Sequence, residues 1–290
     1  MFLICAGNRL SYKVEVEENT AKRLPLLCAR PRKVASPMFT STHIIIGIIA
    51  ALIIGLSKTA IPGGGLLATP LLATVVSGRL IAGTMLPLLL IADVFAVTWF
   101  GRHARRDVLR PIVPTVALGF AAGTLFYVLL GSGGRALDIV IGSTILLLVL
   151  LQSARIIRAT PPKPATPQIT RVVGATGGFT TFVSNAAGPI MNTYLTGIGL
   201  PKEELIGTSS WFYFGVNFLK VPVYTAIGWF ATGGSFFTST TLGFDASVAP
   251  GVAVGLLGGR WLLPRIDQRT FNIVVLVLAG IGATKLLIGF

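Results

Sequence analysis

Long apolar runs dominate the chain from His43 onward, and short breaks that are polar or rich in Gly and Pro separate them. The runs cover residues 43–61, 64–77, 80–100, 111–130, 136–154, 171–186, 188–200, 205–230, 247–264 and 271–289. A helix needs about 20 residues to cross a bilayer, and several runs reach that length. The pattern predicts an all-α integral membrane fold with about eight to ten transmembrane helices, in which the short runs either cross the bilayer or form re-entrant hairpins.

Two stretches of different composition divide the chain. Residues 155–170 contain four prolines and predict an extended cytoplasmic linker between a first membrane repeat, 39–154, and a second, 171–290. Residues 1–38 hold seven basic and three acidic side chains and precede the first long apolar run. We interpret them as an N-terminal extension that is either disordered or not translated, with Met38 as the alternative start.

The two membrane segments share an ordered set of positions, which indicates an internal repeat. Three pairs lie 124 residues apart: Gly64 and Gly188, Gly83 and Gly207, Asp93 and Asn217. Three more lie 136 residues apart: Pro114 and Pro250, Gly119 and Gly255, Gly123 and Gly259. The change of offset locates an insertion around residues 232–245, and each half then contains five apolar segments.

Loop charge predicts how these repeats are oriented. Arginine and lysine gather in the loop after residue 100, in the linker 155–171 and near residues 260–270, whereas residues 231–246 have none. Basic loops of membrane proteins lie on the cytoplasmic side. With five segments in each half, the two halves then have opposite orientations, which is the inverted-repeat architecture of many transporters.

A polar interruption ends the first apolar run, at residues 55–65. Pro62 lacks an amide hydrogen and the glycines after it tolerate unusual backbone angles, so we expect a broken or re-entrant helix at Pro62–Gly65. A new helix that starts near Gly64 would offer backbone N–H donors and a partial positive charge to an anion. The candidate substrate-binding residues of this segment are Ser57, Lys58, Thr59, Gly63, Gly64 and Gly65.

The second half has a matching interruption at residues 177–189, where we expect a second break at Asn185–Pro189. Broken segments at corresponding positions of two halves point to a central substrate site. The candidates in this segment are Thr181, Ser184, Asn185 and Gly188. Together the two segments are rich in donors and contain one cation, which favours a small anion as the substrate.

Few charges lie inside the apolar runs, where each costs about 2.5–3.5 kcal/mol at a helix centre. Lys58 stands beside the first break, and we interpret it as a substrate residue rather than one that reaches the membrane interface. Asp93, the only acidic residue well inside a long run, either pairs with Lys58 or carries a proton, and Asn217 is its repeat mate. Lys220, one helical turn later, either lines the same cavity or reaches the interface. The aromatic stretch 211–214 is interpreted as an interface belt or as packing.

Composition narrows the class of protein. Charged residues make up 12 % and hydrophobic residues 53 % of the 290 residues, whereas a soluble domain has about 25 % charged residues. This composition therefore disfavours a soluble enzyme, and the apolar content excludes a disordered chain. The net charge of +14 comes mostly from loops that orient the protein, so it does not indicate nucleic acid. Two cysteines and two histidines give no support for a metal site, a cofactor or His-based catalysis, and we expect no enzyme activity.

Several motifs in the chain resemble the TauE/SafE sulfite exporter family. They are Gly-Leu-Ser-Lys58-Thr-Ala-Ile-Pro-Gly-Gly-Gly65 and Gly83-Thr-Met-Leu-Pro-Leu-Leu-Leu-Ile-Ala-Asp93 in the first half, and Asn185-Ala-Ala-Gly-Pro189, Gly207-Thr208 and Asn217-Phe-Leu-Lys220 in the second. The resemblance covers residues 43–290. It implies a multi-pass permease of the bacterial inner membrane that exports sulfite, an organosulfonate or a related small anion.

A secondary transporter of a small anion is thus the leading interpretation. A phosphate-binding loop of the form Gly-x4-Gly-Lys-[Ser/Thr] is missing from the sequence, which disfavours direct use of ATP. The expected partners are the anion and the lipid bilayer, with protons as a candidate coupling ion. The alternatives are a permease for another small carboxylate or metabolite and a membrane scaffold without transport.

Overall fold

The computed structural model describes residues 39–60, 65–76, 79–130, 166–185, 187–230 and 234–265, together with parts of 135–158 and 267–288. The extension 1–38, residues 61–64, most of the linker 155–170 and much of the runs 136–154 and 271–289 lie outside the described residues. Within the described part the chain is helical and contains no strand, as the apolar pattern predicts.

Most of the described helices coincide with predicted apolar runs. They are α1 (Ser41–Thr59), α2 (Gly65–Ala73), α3 (Arg79–Phe100), α4 (Arg106–Leu109), α5 (Val113–Leu130), α6 (Pro167–Ser184), α7 (Ala187–Gly197), α8 (Lys202–Phe230) and α9 (Ser239–Leu262). Three of the described segments are long and apolar enough to cross a membrane: Ser41–Thr59, Leu80–His103 and Ser239–Leu262.

The distribution of side chains is that of a membrane protein. Large apolar side chains such as Leu118, Phe218 and Val254 point outward, while Asp93 and Lys220 are completely buried. A soluble protein seldom exposes so much contiguous apolar surface, because water would drive association through it. The outer surface of the bundle therefore suits lipid, and its polar groups lie inside.

Two helices begin earlier than the apolar pattern predicts. Thr238 caps α9, and its side chain accepts a hydrogen bond from the Thr241 amide, so the helix starts at Ser239 rather than near residue 247. Asp245 precedes the apolar run 247–264 but lies inside this helix, so Asp93 is not the only acidic residue within the candidate membrane spans of the described chain. Similarly, α8 begins at Lys202 instead of residue 205.

The second predicted break is present but shorter than predicted. Helix α6 ends at Ser184, and Asn185 adopts a left-handed conformation with φ of 55°, while its N–H donates to the carbonyl of Thr181. Helix α7 starts at Ala187, so Gly188 and Pro189 belong to its first turn, where proline needs no hydrogen-bond donor. In the first half, α1 ends at Thr59 and α2 begins at Gly65.

Close glycine contacts join helices that lie far apart in the chain. Helix α1 packs along α9, and a Cβ atom at Gly255 would lie 2.2 Å from the Leu52 carbonyl oxygen. Helix α5 packs along α6 in the same manner, and a Cβ atom at Gly119 would lie 1.9 Å from the Ala175 carbonyl oxygen. These two helix pairs include α1 and α6, the helices that carry the buried polar residues Ser57 and Thr181.

Candidate anion site

A small polar cavity lies where the two broken segments meet. Its volume is about 40 Å³, and its walls come from α1, α2, α3, α6, α7 and α8. The lining residues are Ser57, Lys58, Gly65, Met85, Leu89, Thr181, Asn185, Gly188, Tyr213 and Asn217. Gly65 is the first residue of α2 and Gly188 the second residue of α7, so two helix N-termini border the same cavity. Their free N–H groups and partial positive charges favour an anion.

Lys58 and Asp93 form an ion pair at one wall of the cavity. The Lys58 Nζ atom lies 2.6 Å from Asp93 Oδ1; the Asp93 side chain is completely buried, and 9 % of the Lys58 side chain is exposed. Lys58 belongs to the last turn of α1, where the helix dipole stabilises a cation. Its ammonium group also lies 4.2 Å from the centre of the Tyr213 ring, which adds a cation–π contact.

Asn217 connects this ion pair to a second buried lysine. Its side-chain Nδ2 donates to Asp93 Oδ2 at 2.6 Å, and its Oδ1 accepts from Lys220 Nζ at 3.0 Å. The two residues lie three apart on α8 and therefore share one face of the helix. Asp93 thus has a polar partner on each carboxylate oxygen, which stabilises its burial.

Lys220 is completely buried and donates all three of its hydrogen bonds to polar side chains. Besides Asn217, its Nζ atom contacts Asn185 Oδ1 at 2.6 Å and Thr181 Oγ1 at 3.2 Å. Asn185 follows the last residue of α6 in a left-handed conformation, and in this position its side chain reaches Lys220. The Asn185 amide nitrogen donates to Met85 Sδ at 3.5 Å, a weak acceptor that an oxyanion could replace.

The structure brings most of the candidate residues together, with differences at Thr59 and Lys220. Thr59 is turned toward α9, where its hydroxyl donates to the carbonyl of Leu256, so it does not line the cavity. Asp93 and Lys220 stand directly behind the lining residues and bond to them. The side chain of Ser184 and the residues Gly63 and Gly64 lie outside the described residues.

Tyr213 is the main residue that the sequence interpretation missed. The aromatic stretch 211–214 was assigned to a belt or to packing, yet Tyr213 lines the cavity and its ring covers Lys58. Its hydroxyl is buried and has no hydrogen-bond partner in the part of the chain that the structure describes. A signal was present in the spacing, because residues 213, 217 and 220 recur at the period of one helix face.

The charges of the cluster determine what it can bind. Two lysine side chains, Lys58 and Lys220, lie close to one aspartate side chain, Asp93, and hydroxyl, amide and backbone donors surround the cavity. Among the described residues no group of His, Cys, Asp or Glu side chains has the arrangement of a metal site. The donor set fits a small oxyanion, whose oxygen atoms accept several hydrogen bonds at once.

Comparison with protein families identifies the family of the chain. The family model described as "Sulfite exporter TauE/SafE" matches residues 47–286, which is most of the sequence. The chain belongs to the TauE/SafE sulfite exporter family. Membership confirms the resemblance read from the motifs, and it identifies the chain as a membrane permease. The TauE/SafE match spans both broken segments and every residue of the cavity. No match was found among curated proteins or among solved structures.

Proposed function

We propose that the chain is a secondary transporter that exports a small sulfur oxyanion across the bacterial inner membrane. The observation that carries this proposal is the set of charged side chains around one small cavity, where two lysines, Lys58 and Lys220, are accompanied by one aspartate, Asp93. With all three groups ionised, the cluster has a net positive charge, and the N-termini of α2 and α7 add to it. We assign the anion to the cavity residues Ser57, Lys58, Gly65, Thr181, Asn185 and Gly188.

The size of the cavity favours sulfite among the sulfur oxyanions. One water molecule needs about 10–15 Å³ of such space, so a cavity of about 40 Å³ holds roughly three waters. Sulfite has four heavy atoms and is compact. An organosulfonate carries a carbon chain in addition and would require the surrounding helices to move apart.

Asp93 and the substrate would compete for the same cation. The Asp93 carboxylate holds Lys58 at 2.6 Å, while Lys58 also faces the cavity. When Asp93 takes up a proton, Lys58 loses its counter-ion and becomes available to the anion. We therefore propose that protons are the coupling ion and that a proton and the anion bind together.

Contacts between the halves support an inverted repeat. Asp93 and Asn217, which are repeat mates, hydrogen-bond directly to each other. A Cβ atom at Gly83 would lie 1.8 Å from the Phe236 carbonyl oxygen, and one at its mate Gly207 would lie 2.3 Å from that of Phe100. Phe236 follows Phe100 by 136 positions, which is the second repeat offset. A twofold axis through the centre of the site would explain these exchanged contacts, and rocking of the halves about it would give alternating access.

The proposal is tested with the purified chain in proteoliposomes loaded with radiolabelled sulfite, sulfoacetate or acetate, with and without a pH gradient. We expect sulfite efflux to exceed acetate efflux and to fall about 100-fold in Lys58→Ala, a loss of about 2.7 kcal/mol. Asn185→Gly keeps the left-handed turn and removes only the amide, and it should reduce efflux about tenfold. Lys202→Ala removes an exposed lysine at the start of α8 and should leave efflux unchanged.

A second variant separates transport from folding. Removal of one partner from a buried ion pair lowers stability by about 3–5 kcal/mol. We therefore add a double variant, Lys58→Met with Asp93→Asn, in which both charges are removed. Size-exclusion chromatography checks that each variant is folded. Sulfite efflux at the wild-type rate from the folded double variant would contradict the site. Efflux of acetate alone would establish the carboxylate permease, and a folded wild type without any efflux would establish the scaffold.

A further inference from the structure

A second and larger cavity opens on the outside of the bundle between α5 and α8. Its volume is about 630 Å³, and it shares no lining residue with the anion cavity. We call it the α5–α8 groove, and its walls include Val113 and Phe120 from α5 and Trp211, Gly215 and Val223 from α8. Except at one end these walls are almost entirely apolar, which excludes a small soluble anion along most of the groove.

Two arginines stand at that end of the groove. Arg106 and Arg110 precede α5, and both are exposed. Neither forms a salt bridge with any described residue, although their neighbour Arg105 is paired with Asp107 at 2.7 Å and with Glu204 at 3.2 Å. The Arg105 guanidinium holds the pKa of Asp107 below its usual value, so this acid stays charged and bound to Arg105. Arg106 and Arg110 are therefore available to an anionic group outside the chain.

The length of the groove fits a lipid chain. Trp211 and Val223 mark its extent along α8, and a helix rises 1.5 Å per residue, so the apolar part is about 18 Å long. That is slightly more than half of the hydrocarbon thickness of a bilayer, which is about 30 Å. The exposed Trp211 ring lies at the arginine end, at the depth where tryptophan commonly meets lipid headgroups.

We propose that the α5–α8 groove binds an anionic phospholipid, with an acyl chain along the apolar walls and the phosphate on Arg106 and Arg110. Guanidinium groups bind phosphate through paired charge-assisted hydrogen bonds. The basic loop that carries both arginines has the composition of a cytoplasmic loop, and anionic lipids are concentrated in that leaflet. A bilayer lipid is also the one apolar ligand that is always present beside this surface.

Native mass spectrometry of the full chain, released from nanodiscs with equal amounts of phosphatidylglycerol and phosphatidylcholine, tests the proposal. We expect one phosphatidylglycerol to stay bound in preference to phosphatidylcholine. In the double variant Arg106→Gln with Arg110→Gln, the fraction of protein with bound phosphatidylglycerol should fall at least about fivefold. Arg102→Gln removes an exposed arginine from the same loop but outside the groove, and it should retain the lipid.

A second variant fills the groove without altering its charge. Nothing lies within 4 Å of a Cβ atom at Gly215, so Gly215→Phe should enter the groove without disturbing the helix and displace the lipid. Gly243 on α9 is equally open and lies outside the groove, so Gly243→Phe is the matched control. The proposal is overturned if the wild type retains both lipids equally. It is also overturned if all variants retain as much phosphatidylglycerol as the wild type. A dimer that Gly215→Phe dissociates while lipid binding stays unchanged would assign the groove to a second copy of the chain and also overturn it.

Discussion

The buried hydroxyl of Tyr213 connects the stability of the protein with its proposed transport activity. It has no hydrogen-bond partner among the described residues, although it borders the cavity. Leaving a buried hydroxyl without a partner costs about 1–3 kcal/mol. A bound oxyanion would accept this hydrogen bond, so the cost would be recovered only when substrate is present.

Tyr213→Phe separates these two roles. The phenyl ring keeps the contact with the Lys58 ammonium group, so we expect the thermal stability in detergent to stay equal or to rise. The KM for sulfite should rise about tenfold, which corresponds to about 1.4 kcal/mol of lost binding. Tyr194→Phe is the control, because the Tyr194 hydroxyl contacts Thr170 away from the cavity; it should reduce stability and leave KM unchanged. An unchanged KM in Tyr213→Phe would contradict contact with the substrate.

At the scale of residues, the sequence singles out a side chain when its burial in an apolar run costs free energy. Lys58 and Asp93 could be singled out because charges inside apolar runs are rare, and the structure pairs them. Tyr213 could not be singled out in this way, since aromatic side chains are common throughout such runs. Asp245 was missed because polar residues precede it, although it is buried and its carboxylate oxygens have no hydrogen-bond partner in the described part of the chain.

Glycine determines how closely α1 and α9 approach each other. A Cβ atom at Gly255 would lie 2.2 Å from the carbonyl oxygen of Leu52, which is closer than any real contact of this kind. Because backbone atoms are held by the helix, they cannot move aside as a flexible side chain would. The close approach fixes the end of α1, and thereby Lys58, relative to the rest of the bundle.

Gly255→Leu should therefore separate α1 from α9. We expect a loss of about 3 kcal/mol or more in stability, seen as a lower thermal transition and less monodisperse protein in fluorescence-detected size exclusion. Gly243→Leu lies on the same helix, where nothing is within 4 Å of the new Cβ atom, and it should behave as wild type. If both leucine variants were equally stable, the helices would not be in the close contact described.

At the scale of helices, the apolar pattern predicted which segments exist better than where they begin. Helix α9 begins at Ser239 because the Thr238 side chain caps it, and this local hydrogen bond leaves no trace in a hydropathy pattern. The break at Asn185 was predicted from its polar and glycine-rich sequence. Its length was overestimated, because Pro189 is accommodated in the first turn of α7 instead of extending the break.

At the scale of the whole molecule, helices of the first half of the chain pack against helices of the second half. The sequence offsets predict equivalent positions, such as Gly119 and Gly255, but they do not reveal which helices touch. In the structure, Gly119 of the first half packs on α6 of the second, and Gly255 of the second packs on α1 of the first. Each half thus lies against the helix that carries the other half's broken segment. A small rotation between the halves would alter both walls of the anion cavity together, as alternating access requires.

The proposed coupling between proton and anion belongs to the whole transport cycle, and Asp93→Asn tests it. Asp93 contacts Lys58 and Asn217, which in turn contact Tyr213 and Lys220. The uncharged amide in Asp93→Asn should leave Lys58 free for the anion at every pH. If Asp93 takes up the coupling proton, the wild-type carboxylate is charged on the alkaline side and holds Lys58, so the KM for sulfite should increase with pH. We expect the ratio of wild-type to variant KM to rise about tenfold from the acid to the alkaline side of neutrality, or about 1.4 kcal/mol. Taking the ratio at each pH cancels the titration of sulfite itself. A ratio that stays constant with pH would mean that Asp93 does not take up the coupling proton.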